Sequence, residues 1–412
     1  MPDPVPEELS RFAAWSVRPF RALLVGGVFT FLSMQMAAIA RAWLAFELTG
    51  TNTALGGVLI GFGLSSIVAI PAGGVIADRF PKRAVIATAG ILQTAMSAGL
   101  AVAIATDVIA YWMLVVASVV QGAFISLLGP ARLAFIAEVV DRRLLTNAVF
   151  LSQTSLQAAR VVGPAVAGAL ISVDAIGVGG AYWTATVLAA AGVAAALVLP
   201  ALPARARTGR SPWGDLADGI RHVRRDRRLG LLLVLSFLVV LIGFPHVAFL
   251  PTYAEEIFGA GSVGFGILNT AAAVGAVASS LALAGVHRSR LWRYQVTAAG
   301  AFGLLLVVLG FAPAFWVAVG VMVLIGAASA AFQALNNSLI LGIAPVEYHG
   351  RVQSLLMLSF TGFGLAALPL GAVADAAGLR PTFAGMGLAV ALVVAVSAGR
   401  GRGAFRSAEA RL

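Results

Sequence analysis

Gln153, Gln157 and Arg160 fall at i, i+4 and i+7 of a largely apolar stretch, so a helix there carries them as one stripe. Gln333, Asn336 and Asn337 fall at i, i+3 and i+4 of a second stretch in the other half of the chain. Amides and a guanidinium recognise polar or anionic guests; as a set they hold no nucleophile and no redox centre. Gln35, Arg41, Gln121, His246 and Asn269 stand more singly in other apolar runs. Hydrogen bonding between helices explains a lone amide equally well. Two clusters in opposite halves point instead to a cavity lined from both sides, the place for a small-molecule substrate.

Arg160 is the sharpest residue of the set. A mid-membrane arginine costs about 2.5–3.5 kcal/mol even on the mild insertion scale, and no Asp or Glu lies mid-span to pair with it. It has to reach water, carbonyl groups, a distant carboxylate or an anionic ligand, and a structural arginine on carbonyls stands level with a ligand-binding one. His246 follows Pro245 and precedes Pro251, in a segment expected to bend or break. It is the one mid-span group that titrates near neutral pH, which opens proton coupling, although packing is its expected role. No GxxxxGK[ST], HExxH or GxSxG string occurs, and the single lysine, Lys82, follows Pro81. The chain has no cysteine, which removes thiol chemistry and disulfides. No enzyme, catalytic residue, metal site or cofactor is expected.

The elements that position these residues follow from composition. Of 412 residues, 60% are hydrophobic and only 11% charged, with a mean hydropathy of +0.96. A soluble domain needs far more charge to cover its surface. Runs of roughly 20 apolar residues, enough to cross a ~30 Å hydrocarbon layer, recur throughout. Twelve spans are expected, near 20–46, 54–77, 84–105, 109–131, 145–172 and 178–199, then 229–251, 262–286, 294–312, 314–341, 352–374 and 381–399. Helices satisfy their own backbone in lipid, so the fold class is an all-α integral membrane protein whose surrounding partner is the bilayer. The chain divides into an N-terminal segment 1–19, a six-helix bundle 20–199, a linker 200–228, a second six-helix bundle 229–399 and a tail 400–412. Residues 1–19 lack an h-region, so the first span is expected to be an uncleaved anchor. In the linker, Trp213, Leu216, Ile220 and Val223 share one face of an amphipathic helix at the interface. The third, sixth, ninth and twelfth spans carry little polarity beyond Gln93 and are expected to face lipid.

The net charge of +11 has a topological meaning. All 28 basic residues except Arg41, Arg160 and Arg380 fall in loops or ends on one side, with Arg132 read into that set, while Glu47, Asp107, Asp174, Glu255, Glu256 and Asp375 mark the other. By the positive-inside rule both termini are cytoplasmic, in a cell inner (plasma) membrane. Bases at span ends serve insertion and anionic headgroups, which excludes nucleic acid as a partner. A monomer is expected.

Between the second and third spans, Gly74-Val75-Ile76-Ala77-Asp78-Arg79-Phe80-Pro81-Lys82-Arg83 resembles the signature loop of the major facilitator superfamily, with Pro81 where a second glycine is usual. Trp43 to Gly50, Gly163-Pro164-Ala165-Val166-Ala167-Gly168 and Glu347-Tyr348-His349-Gly350-Arg351-Val352 are similar to elements of its drug-efflux and siderophore-export branch. The resemblance implies two pseudo-symmetric six-helix bundles rocking about a central site. It implies a conformational latch made by Gly74, Asp78, Arg79, Lys82, Arg83 and Glu138. In that latch Asp78 faces the start of the eleventh helix, and Lys82 or Arg83 pairs with Glu138. It also implies an exporter of small amphipathic molecules, multidrug- or siderophore-like and working by antiport. The missing mid-span carboxylate leans the cargo toward neutral or anionic. A lipid or lysolipid translocator on the same scaffold is the alternative within transport. A non-transporting sensor is the alternative outside it, and would call for a larger soluble domain than 200–228 supplies.

Overall fold

Apolar runs of 20–30 residues, interrupted only where glycine, proline or charge gathers, form the helices of the computed structural model. It describes residues 13–141, 143–202, 212–283, 291–345 and 348–409, with backbone alone at 70–75, 77–79, 146, 212–213, 215–217, 350, 360–361 and 402–409. Six spans make the first half: α1 (Arg18–Thr49), α2 (Asn52–Arg79), α3 (Lys82–Ala105), α4 (Tyr111–Val139), α5 (Leu145–Ile171) and α6 (Gly177–Leu197). A short helix α7 (Pro212–Arg225) leads into α8 (Arg227–Gly243). A 3-10 segment (Phe244–Phe249), the single turn α9 (Leu250–Thr252) and a π-turn (Tyr253–Ile257) complete that span. The second half continues with α10 (Gly261–Ala282), α11 (Leu291–Gly310), α12 (Phe315–Ile343), α13 (His349–Ala377) and α14 (Leu379–Glu409). Twelve stretches among the described residues are long and apolar enough to cross a membrane.

Local chemistry sets the ends. Gly50 closes α1 at φ +62, a conformation glycine adopts freely, and its N–H returns to the Phe46 carbonyl. The seventh span breaks where its prolines were expected to break it. α4 differs from expectation. Pro130 lies inside the helix, which runs on to Val139, because transmembrane helices tolerate proline where neighbours cover the freed carbonyl. Arg132 therefore sits within the span, 7% exposed, and not in a loop.

Each half repeats one packing scheme. α1 lies against α5 and α6, and α4 against α2 and α3; likewise α8 lies against α13 and α14, and α12 against α10 and α11. The halves meet chiefly through α2 with α13 and α5 with α10. An even number of spans places both ends of the described chain and α7 on one side, called the near side below. The far side bears the α1–α2 and α13–α14 turns. The ninth span, α11, is less plain than expected: Gln295 is fully buried on it, facing the tenth.

Candidate functional site

α1 is the spine of the first half, and three guanidiniums lie along it. Nearest the near side, Arg132 of α4 lies against Gly27, where any Cβ would collide with the guanidinium, and donates to Ser152 Oγ at 3.3 Å. At mid-depth Arg160 of α5 stands 5.8 Å from the ring of Phe31, within cation–π range. Toward the far side Arg41 of α1 donates to Gln121 Oε1, and Gln121 Nε2 donates to the Met34 carbonyl at 3.4 Å. Arg41 and Gln121 are buried, 7% and 5% exposed. Arg160 is exposed. Among the described residues none of the three has a carboxylate within salt-bridge distance.

The α5 stripe keeps its polar face accessible: Gln153 and Arg160 are exposed and Gln157 half-buried. One turn beyond Arg160, Gly163 lets Gln35 close on α5, since an added Cβ would lie 2.6 Å from Gln35 Cβ. Arg160, Phe31, Gln35 and Gln157 thus form one patch at mid-depth.

The second half answers with neutral groups, largely turned on themselves. Asn269 donates to the Phe265 carbonyl at 3.0 Å and Gln333 to the Ser329 carbonyl at 3.3 Å, each within its own helix. Asn336, expected on the cavity wall, is 1% exposed and accepts from Gln295 Nε2 at 2.6 Å. It faces a neighbouring helix, so the α12 cluster does not point as one stripe. Asn337 is half-buried, with no hydrogen-bond partner for Oδ1 among the described residues. His246 is 3% exposed. Its Nδ1–H donates to the Gly243 carbonyl at 2.7 Å and its ring meets Phe302 edge-on at 5.8 Å, the surroundings of a packed histidine.

The far ends of the halves are in contact. Gly168 of α5 and Gly266 of α10 approach so closely that a Cβ on either meets the other's Cα at about 3 Å. Trp43 stacks on Phe265 with centroids 6.3 Å apart. The carboxylate of Asp375, at the end of α13, accepts hydrogen bonds from Asn52 and Thr53 at the start of α2. Sequence reading placed Asp375 in a far-side loop and no further. The signal was present: Gly371-Ala372-Val373-Ala374-Asp375 echoes Gly74-Val75-Ile76-Ala77-Asp78 in residue type and spacing.

At the near side Lys82 Nζ lies 3.1 Å from Glu138 Oε1, while Arg83 donates to the Leu197 carbonyl at 2.6 Å. The side chains of Asp78 and Arg79, and Gly74 with them, lie outside the described set.

The sequence profile of the Major Facilitator Superfamily matches residues 23–364. No curated protein matches the chain. Among solved structures, the nucleoside transporter NupG superposes with a TM-score of 0.72 at 14% identity, over 93% of this chain and 99% of that one. A POT family transporter in complex with a thioalcohol-conjugated peptide gives 0.74 at 12% identity, over 92% and 95%. A bacterial homologue of the human lysosomal transporter Spinster, inward-facing and unoccupied, gives 0.64 at 15% identity, over 95% and 96%. At these identities the likeness is one of fold.

Proposed function

Since the chain belongs to the major facilitator superfamily of membrane transporters, we propose that it carries an amphipathic, anionic small molecule by alternating access, as an exporter. The observation that carries this reading is Arg160: a cation at mid-depth, exposed, without a carboxylate partner among the described residues, beside an aromatic ring and two amides. A buried arginine needs an acceptor in the protein, and Arg41 and Arg132 find theirs in Gln121 and Ser152; the accessible one is left for a guest. Phe31 offers the guest's apolar part a surface, and Gln157 and Gln35 offer donors and acceptors. The near side is then cytoplasmic, on the distribution of arginines, and Lys82–Glu138 belongs to the near-side latch.

One feature favours a lipid-like guest. An apolar groove of about 250 Å³ between α7, α8 and α13 is lined by Val223, Leu233, Phe237 and Leu355, with Arg224 beside it. That is the shape of a site for an acyl chain and its anionic head.

Flux in proteoliposomes tests the reading with a panel of siderophores, acidic drugs, uncharged analogues and lysolipids. Arg160→Gln is expected to lower flux of the anionic members about tenfold or more, since a hydrogen bond to a charged group contributes roughly 1.5–3 kcal/mol, and to spare uncharged ones. Equal loss for both removes the charge role. Flux confined to lysolipids moves the guest to the lipid class.

A further inference from the structure

The first turn of α2 is capped by the opposite half of the molecule. Every helix start leaves backbone N–H groups without an intrahelical acceptor. α2 supplies one cap of its own, Thr51, whose Oγ1 takes the Ala54 N–H at 3.3 Å. The Asn52 and Thr53 N–H groups go instead to Asp375 of α13, at 2.7 Å to Oδ1 and 2.9 Å to Oδ2. The same carboxylate accepts Asn52 Nδ2 at 3.0 Å and Thr53 Oγ1 at 2.5 Å. Four donors from one half thus converge on one carboxylate from the other. Charge-assisted bonds of this kind are the strong ones, and a carboxylate at a helix N-terminus also meets the positive end of its dipole.

Backbone contact delivers the carboxylate. One turn before Asp375, a Cβ on Gly371 would lie 2.7 Å from the Asn52 carbonyl carbon. One turn deeper, a Cβ on Gly56 would lie 2.6 Å from the Ala367 carbonyl carbon. Gly371 and Asp375 share a helical face at i and i+4. α2 and α13 run antiparallel, 52 against 371 and 56 against 367, so the register carries Asp78, with its matching Gly-x-x-Ala-Asp string, toward the start of α13. A solvated acidic loop end needs neither the glycine nor the four donors.

We propose that Asp375 is the positioning residue of the far-side gate: its carboxylate holds α2 to α13 while the far side is shut, and its release is a required step of opening. This rests on the transporter reading above. Loss of the carboxylate weakens the shut state and leaves the two bundles intact, so it shifts the balance of states more than the fold.

The chain has no native cysteine, so a single Ala367→Cys, at a position 0% exposed in the closed seam, reports far-side opening to a membrane-impermeant maleimide. Val108→Cys, 60% exposed at a far-side turn, calibrates reagent access. Adding Asp375→Asn is expected to raise the labelling rate at 367 about tenfold, with the thermal midpoint held and the rate at 108 unchanged. Thr53→Val, which removes one donor and keeps the helix start, is expected to raise it less, and serves if the Asp375 variant does not fold. Labelling at 367 that is indifferent to both substitutions overturns the clasp and leaves the transporter reading standing. A cysteine at 367 that never reacts, in a protein without flux toward any probe, overturns that reading and the clasp with it.

Discussion

The two halves share one packing scheme and differ in how they treat charge. Along the membrane-embedded part of α1 lie three arginine side chains, Arg41, Arg132 and Arg160, whereas α8, its counterpart, carries arginine only at its near-side start, Arg227 and Arg228; the mid-span polar groups described in the second half are amides and one histidine. In the first half two cations are committed to structure, Arg41 on Gln121 and Arg132 on Ser152, and the third, Arg160, is left accessible. In the second half most donors are satisfied by their own helix or its neighbour. The contrast teaches that pseudo-symmetry fixes backbone packing without fixing electrostatics. On the transport reading proposed above, one half would hold the charge a guest sees while the other offers a neutral wall, so the guest's charge would move with a single bundle and closing the neutral wall over it would repel nothing.

This contrast can be broken at its strongest point first. Gln121→Leu leaves the Arg41 guanidinium buried without its acceptor and is expected to lower stability by about 2.5–3.5 kcal/mol, the insertion cost of an unpaired arginine. Thermal unfolding in detergent measures it, and an unchanged midpoint means Arg41 has other support. The Arg160→Gln substitution comes next, costing affinity for anions more than stability. If it destabilises as much as Gln121→Leu, Arg160 is structural like the other two. Gln295→Leu in the second half strands only a neutral amide, Asn336, and is expected to cost about 0.6 kcal/mol, the mean for hydrogen bonds between membrane helices. A loss as large as that of Gln121→Leu erases the difference between the halves. Smallest is His246→Phe, which keeps the edge-on contact with Phe302 and is expected to leave the pH profile of flux where it is. A displaced profile makes His246 a proton carrier.

The spans, the helix of the linker and the break in the seventh span were legible because each rests on local composition. The end of α4 was not. Pro130 and Arg132 together mimic the close of a span, and the contacts of Arg132 with Gly27 of α1 and Ser152 of α5 keep it inside the helix instead. The candidate site residues were legible as types and only partly as directions. Gln153, Gln157 and Arg160 keep the accessible face their spacing gives. Asn336 turns away from its neighbours in sequence because Gln295, on a span read as featureless, offers it a partner. Asp375 was visible only as an acid near a span end. Its role depends on α2 lying beside α13, a contact between residues more than 300 positions apart in sequence.

By itself the sequence determined that this chain is a bundle of membrane-spanning helices in two sets of six, because hydrophobic length, backbone satisfaction and the placement of arginines are properties of each segment alone. Which polar side chains pair with one another, which cation stays exposed and which acid ties the halves together were decided only in three dimensions. In an apolar medium a polar group goes to the nearest partner that satisfies it, and that partner is chosen by helix packing.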